Sequence, residues 1–108
     1  MKVLKFGGSS VANAHNINRV ISILEQSVEK DGNTIIILSA LGGATDALLE
    51  AAALASRGNA SYNEKLQAIE HRHLSTVREL IPLDKQSSVL SMVKKRCNEI
   101  EDICKGVF

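Results

Sequence analysis

The stretch Lys2-Val3-Leu4-Lys5-Phe6-Gly7-Gly8-Ser9-Ser10 sets the fold of this chain. A short apolar run halted by two glycines is the pattern of a buried β-strand entering a tight turn. A helical pattern follows. Ile17, Val20, Ile21, Leu24 and Val28 recur at the three- and four-residue spacing of one helix face, and Lys30-Asp31-Gly32 supplies the stop. Thr34-Ile35-Ile36-Ile37-Leu38 then reads as a second strand, apolar on both faces as in the middle of a parallel sheet. Strand, helix and strand in this order predict a parallel β-α-β unit with a right-handed crossover.

The second strand also runs into a glycine turn, Ser39-Ala40-Leu41-Gly42-Gly43-Ala44. A helix should follow, capped at or near Thr45, with Asp46 in its first turn and an Ala/Leu-rich body ending at Arg57-Gly58. Ser61-Tyr62-Asn63-Glu64 has the form of a capping box. It opens a helix with Tyr62, Leu66, Ile69, His73, Val77 and Leu80 on one stripe, stopped at Pro82. After Asp84 a last helix carries Val89, Val93, Cys97, Ile100, Cys104 and Val107. The fold class is therefore α/β, with two parallel strands and about four helices. Two such apolar strands cannot bury themselves, because a parallel sheet needs helices on both faces and usually four to six strands. The chain is expected to be the N-terminal part of a larger α/β domain.

Composition narrows the function classes. Thirteen Lys and Arg against twelve Asp and Glu leave a formal charge of +1, without the basic excess that drives generic nucleic-acid binding. Aromatic residues are 3% of the chain and Trp is absent, which leaves no base-stacking platform. No apolar run approaches the roughly 20 residues needed to span a bilayer. The N-terminal stretch is too short for a signal peptide, so the expected location is cytoplasmic. Cys97 and Cys104 lie two helical turns apart, too far for a bridge, and are expected to be small reduced apolar residues. His71 and His73, at i and i+2, point to different sides of a helix, and no metal site is expected. Lys94-Lys95-Arg96 is answered by Glu99, Glu101 and Asp102, as on a solvated, partly paired helix face.

The chemistry belongs at the two turns. In a β-α-β unit both open at the carboxyl edge of the sheet, where open α/β folds bind ligands. Backbone N–H groups at a glycine turn, aligned with a helix N-terminus, form an anion site, and Gly7 and Gly8 let the backbone approach a phosphate closely. Lys5, two residues earlier, could add a point charge. The turn matches neither G-x-x-x-x-G-K-[ST] nor G-x-G-x-x-G, so a phosphate cradle and a plain tight turn both stand on these residues alone. Ser39 and Thr45 bracket the second turn. Their hydroxyls either hold a small polar substrate or simply end a strand and cap a helix.

Lys5-Phe6-Gly7-Gly8-Ser9-Ser10-Val11-Ala12 closely resembles the Lys-Phe-Gly-Gly-Thr-Ser signature of the aspartate kinases, in the amino-acid kinase family. Leu38-Ser39-Ala40 with Gly43, Thr45, Asp46 and Leu48 resembles that family's second-strand substrate loop, at the family's separation of about thirty residues. The likeness is strong over residues 2–57, and residues 58–108 match as the long helical excursion found in many members. Ser9 stands where Thr is commoner and Asp46 where Asn is. The resemblance implies a carbamate-kinase-like three-layer αβα fold. It also implies transfer of a phosphoryl group from ATP with Mg2+ to the side-chain carboxylate of L-aspartate, the entry to lysine, threonine and methionine biosynthesis. Lys5 would be catalytic and hold ATP phosphates with Gly7, Gly8 and Ser9, while Ser39, Ala40 and Thr45 would bind aspartate. The family's later acidic, arginine and nucleotide-base residues have no counterpart here, so little activity is expected of this chain alone. Val11-Ala12-Asn13-Ala14 resembles the start of fused aspartokinase–homoserine dehydrogenases, and a homo-oligomeric parent is implied. The competing expectations are a kinase of glutamate, acetylglutamate or a nucleotide monophosphate, and a non-catalytic interaction module built on the C-terminal helices. The apolar stripe from Val89 to Val107 is expected to pack against the preceding helix, and without the downstream chain it could equally self-associate.

Overall fold

A computed structural model describes all 108 residues. The order is β1 (Lys2–Phe6), α1 (Ala14–Asp31), β2 (Thr34–Leu38), α2 (Ala44–Ser56), α3 (Tyr62–Leu80), a 3-10 turn (Leu83–Lys85) and α4 (Gln86–Val107). The chain divides into two compact units, Met1–Gly43 and Ala44–Phe108.

In the first unit β1 and β2 pair in parallel, with Lys2 opposite Thr34 and Phe6 opposite Leu38. One rung continues past the strands, where the Ser39 N–H donates to the Phe6 carbonyl at 3.1 Å. Helix α1 supplies the crossover a parallel pair requires. It starts at Asn13, whose extended backbone (φ −153°, ψ 174°) and side-chain oxygen cap it by accepting from the Asn16 N–H at 2.9 Å. It stops at Gly32, whose φ of +74° suits glycine and whose N–H returns to the Val28 carbonyl. At the base of the unit Lys2 pairs with Asp31 at 3.1 Å, and its N–H donates to Asn33.

Strand and stripe positions fall as the sequence indicates, but the burial of the α1 stripe does not. Val20 and Ala14 are buried, whereas Ile21 and Val28 of the same stripe are exposed. Every apolar residue of β2 is open, from Ile36 at 41% to Leu38 at 57% exposure. The strands are thus left uncovered in the way the sequence leads one to expect of only two. Two strands and one helix do not carry enough surface to cover a sheet that is apolar on both faces.

The second unit is helical. Ala51 and Ala55 are fully buried, small enough for helices to approach closely. Ala55, Tyr62 and Cys104 form the core, with Leu54, Leu66 and Ile100 packed against them. The Tyr62 ring also leans on Phe108 at a centroid distance of 5.4 Å. Helix α2 ends in a paired cap: the Gly58 N–H returns to Ala55 and the Asn59 N–H to Leu54. The capping box expected at Ser61 does not form. Ser61 is already helical in conformation, and the Asn59 side chain takes its N–H instead at 3.0 Å, so the chain needs no second cap. Beyond Pro82 the Gln86 amide ties the turn by donating to the carbonyls of Arg78 and Ile81.

The charged residues here pair locally. Lys65 meets Glu50 between α2 and α3, Lys94 meets Glu70 between α3 and α4, and Arg96–Glu99 and Lys105–Glu101 lie along α4. The basic run of α4 is therefore partly answered on its own helix, as its sequence spacing indicates. Cys97 is half-buried; burial first, and then Glu70, pushes its thiol up. His73 donates its Nδ1–H to the Ile69 carbonyl at 2.7 Å and stays in the apolar stripe, while His71 is exposed. No helix is long and apolar enough to cross a membrane.

Gly58 sits at φ +69° in open space, so any penalty for a side chain there is conformational rather than steric. Gly58→Ala is expected to destabilise the helical unit by about 1 kcal/mol. Urea unfolding of the two proteins measures this, and an unchanged midpoint would count against the left-handed cap.

Candidate functional site

The site grows out of the end of β1. After Phe6 the chain turns at once, and the Ser10 N–H closes the turn onto the Gly7 carbonyl at 3.1 Å. The N–H groups of Gly7, Gly8 and Ser9 make no hydrogen bond within the protein, which leaves three neighbouring donors for an incoming acceptor. The chain then enters α1, whose N-terminal dipole end lies a few residues downstream.

The loop after β2 comes up against this turn. Because β1 and β2 are parallel and in register, both strands deliver their loops to the same edge of the sheet. The loops approach so closely that a side chain is excluded at Gly42 and crowded at Gly8. A Cβ on Gly42 would lie 2.8 Å from the Gly8 carbonyl oxygen and 3.2 Å from the Ala12 Cβ. A Cβ on Gly8 would lie 3.2 Å from the Gly42 Cα and 3.7 Å from the Ser39 hydroxyl. Only glycine at both positions permits the contact without displacing backbone. Gly7 has nothing within 4 Å of a built Cβ, so its place in the turn is not a packing requirement.

Of the residues singled out from the sequence, the structure brings Gly8 and Ser39 together, with Gly7 and Ser9 in the same turn and Ala40 beside Ser39. The Ser39 hydroxyl donates to the Ala40 carbonyl at 2.7 Å, so a substrate acceptor would have to take this proton over. Lys5 lies one residue inside the end of β1, opposite Ile37, exposed and without an ion pair. It shares a strand face with Val3, while Phe6 faces α1 across a cleft of about 260 Å3 that also touches Ser9, Ser10, Asn16, Arg19, Val20 and Ile23. Thr45 belongs to the second unit, where it is exposed on the first turn of α2. The helix begins at Ala44, so Thr45 is inside it and not at its cap.

Three contributors went unmarked in the sequence. Gly42 carries the loop contact, but nothing in a Leu-Gly-Gly-Ala turn distinguishes it from Gly43, which takes the positive φ of +80°. Asn13 and Asn16 tie α1 to the turn. An Asn just ahead of an apolar helical stripe is a cap signal that could have located the first of them. The chain contains no group of three or more His, Cys, Asp and Glu side chains placed to hold a metal ion.

Comparison with known proteins agrees with this architecture. The sequence model of the amino acid kinase family matches residues 1–101. Aspartokinase 1, chloroplastic, of Arabidopsis thaliana is 36% identical over 108 residues, covering 97% of this chain and 18% of the relative. The bifunctional aspartokinase/homoserine dehydrogenase of Buchnera aphidicola subsp. Acyrthosiphon pisum is 27% identical over 111 residues, covering all of this chain and 13% of the relative. An aspartokinase of Chlamydia trachomatis is 37% identical over 78 residues, which is 72% of this chain and 16% of that protein. The chain thus spans less than a fifth of the length of these relatives.

Two glycines, one from each turn, should respond differently to substitution. Gly42→Ala is expected to push the loops apart and to shift the backbone amide resonances of residues 7–10, far from it in sequence. Gly7→Ala is expected to leave Ser39–Gly43 unmoved. Two-dimensional amide spectra decide the matter; Gly42→Ala confined to its own loop would contradict the contact.

Proposed function

The chain belongs to the amino acid kinase family, and from that we propose that it forms the phosphate-gripping turn and part of the substrate loop of an aspartate kinase. The observation that carries this is the Gly8–Gly42 approach, which puts a turn with free N–H donors against a loop bearing the Ser39 hydroxyl. Phosphoryl transfer suits such a site. The reaction needs its two partners held in line and its developing charge offset, and it needs no protein nucleophile. An oxygen of the aspartate side-chain carboxylate attacks the γ-phosphorus of ATP, the bond to the bridging oxygen breaks, and ADP leaves with that electron pair. The N–H groups of Gly7, Gly8 and Ser9 suit the phosphate oxygens, and the unpaired ammonium of Lys5 supplies charge near the same edge. Ser39 and Ala40, with Thr45 from the following helix, are assigned to aspartate. Magnesium would accompany the triphosphate, whose oxygens supply most of its ligands, and it offsets phosphate charge when bound.

The uncovered sheet supports the view that residues 1–57 and 58–108 are parts of one larger catalytic domain. Exposed Ile35, Ile36 and Ile37 are what strands awaiting neighbours on both faces look like. On this basis the 108 residues alone turn over little or nothing. The active parent is proposed to be a cytoplasmic homo-oligomer, in which fusion to a homoserine dehydrogenase is compatible with the Buchnera relative.

In an active kinase carrying this segment, Lys5→Ala is expected to lower kcat at least about 100-fold with the fold retained. Thr45→Ala should chiefly raise the KM for aspartate. A near-normal kcat removes Lys5 from its role, and an unchanged KM removes Thr45. Assaying aspartate and glutamate side by side tests the substrate; preference for glutamate would overturn the aspartate assignment while leaving the kinase one intact.

A further inference from the structure

We infer that Asn16 is a positioning residue for the phosphate turn, holding the Ser9–Ser10 peptide so that its neighbours' N–H groups stay turned outward. The inference rests on the kinase reading given above. Asn16 is the third residue of α1, and its own N–H is engaged by the Asn13 side chain at 2.9 Å. Its side chain is therefore not needed as a cap. Instead it reaches back seven residues, and its Nδ2 donates to the Ser9 carbonyl at 3.0 Å. The same peptide is pinned at its other end, where the Ser10 N–H donates to the Gly7 carbonyl at 3.1 Å.

Both polar groups of the Ser9–Ser10 peptide are thereby occupied. A trans peptide sets its C=O and N–H in opposite directions, so fixing both ends fixes the plane. Two consequences follow for an anion above the turn. The Ser9 carbonyl, a partial negative charge, is held toward α1 and cannot swing round to face a phosphate. The amides left free are those of Gly7, Gly8 and Ser9, three successive donors of the kind that make an anion-binding concavity. Glycine-containing turns are flexible. A tether from a helix end reduces the ordering that phosphate binding would otherwise require.

A purely structural role and a positioning role predict opposite results. Alanine is a better helix former than asparagine, and an acidic residue in the first turn of a helix is favourable. Asn16→Ala and Asn16→Asp should therefore leave α1 as stable as before or more so, yet both abolish the donor to Ser9. The test uses the 108-residue chain and two readouts. By hydrogen exchange, the Ser10 amide is expected to exchange about tenfold faster in either variant, the loss of one hydrogen bond, with the amides of residues 17–28 unchanged. By amide-shift titration with MgATP, each variant is expected to bind about tenfold more weakly than the original chain, and the neutral Ala variant excludes a mere charge effect. An unchanged Ser10 exchange rate overturns the tether whatever ATP does. Faster exchange with unaltered MgATP affinity overturns the positioning role. If the original chain shows no MgATP shifts at residues 7–9 while Ser10 exchange still responds, the kinase reading fails and the positioning role falls with it, leaving only a structural tether.

Discussion

The structure of the candidate site depends on one close contact between two backbones. Gly8 and Gly42, thirty-four positions apart, meet so closely that a Cβ on Gly42 would clash and one on Gly8 would be crowded, and the parallel register of β1 and β2 is what brings them there. A one-residue slip of either strand would displace its loop along the sheet by roughly 3.3 Å, and the meeting would be lost. The apolar sequences of the two strands hold that register weakly by burial, since little of β2 is covered. The ladder itself, lengthened by the Ser39–Phe6 bond, and the Lys2–Asp31 pair at the opposite end are what the first unit offers in its place.

The two units differ in how far their own residues satisfy them. The helical unit has a core of small and aromatic residues, a paired cap at Gly58 and an amide from Gln86 closing its second turn. The β-α-β unit brings its two loops together but leaves its sheet uncovered, with Ile37 at 47% and Val3 at 56% exposure. Exposed apolar area of this kind carries a cost of about 25 cal/mol per Å2 relative to burial. The unit that carries the candidate site is accordingly the less self-sufficient part. That suits a segment spanning less than a fifth of its relatives, where other elements would supply the cover.

Much of this was legible in the sequence, and what was not has identifiable causes. The strand–turn–helix–strand order and the helix ends at Gly32 and Gly58 follow from periodicity and glycine, because those signals are local. The exposure of β2 follows from there being only two strands, but that of Ile21 and Val28 does not, because a pattern shows which face wants covering and not whether a cover exists. The Ser61 capping box failed through local competition, Asn59 having taken the same N–H. Gly7 and Gly8 look alike in sequence, and only the arrival of Gly42 separates a required glycine from a permitted one. Asn16 was illegible for the same reason: its partner is a carbonyl, which leaves no trace in residue type.

The most direct test of the central contact is a nuclear Overhauser measurement between the α-protons of Gly8 and Gly42 in the folded chain. A clear cross-peak, accompanied by one from Gly8 to the Ser39 side chain, is the expected result. Signals from Gly8 confined to its own turn, with the β1–β2 ladder intact, would mean that the two loops do not share a rim.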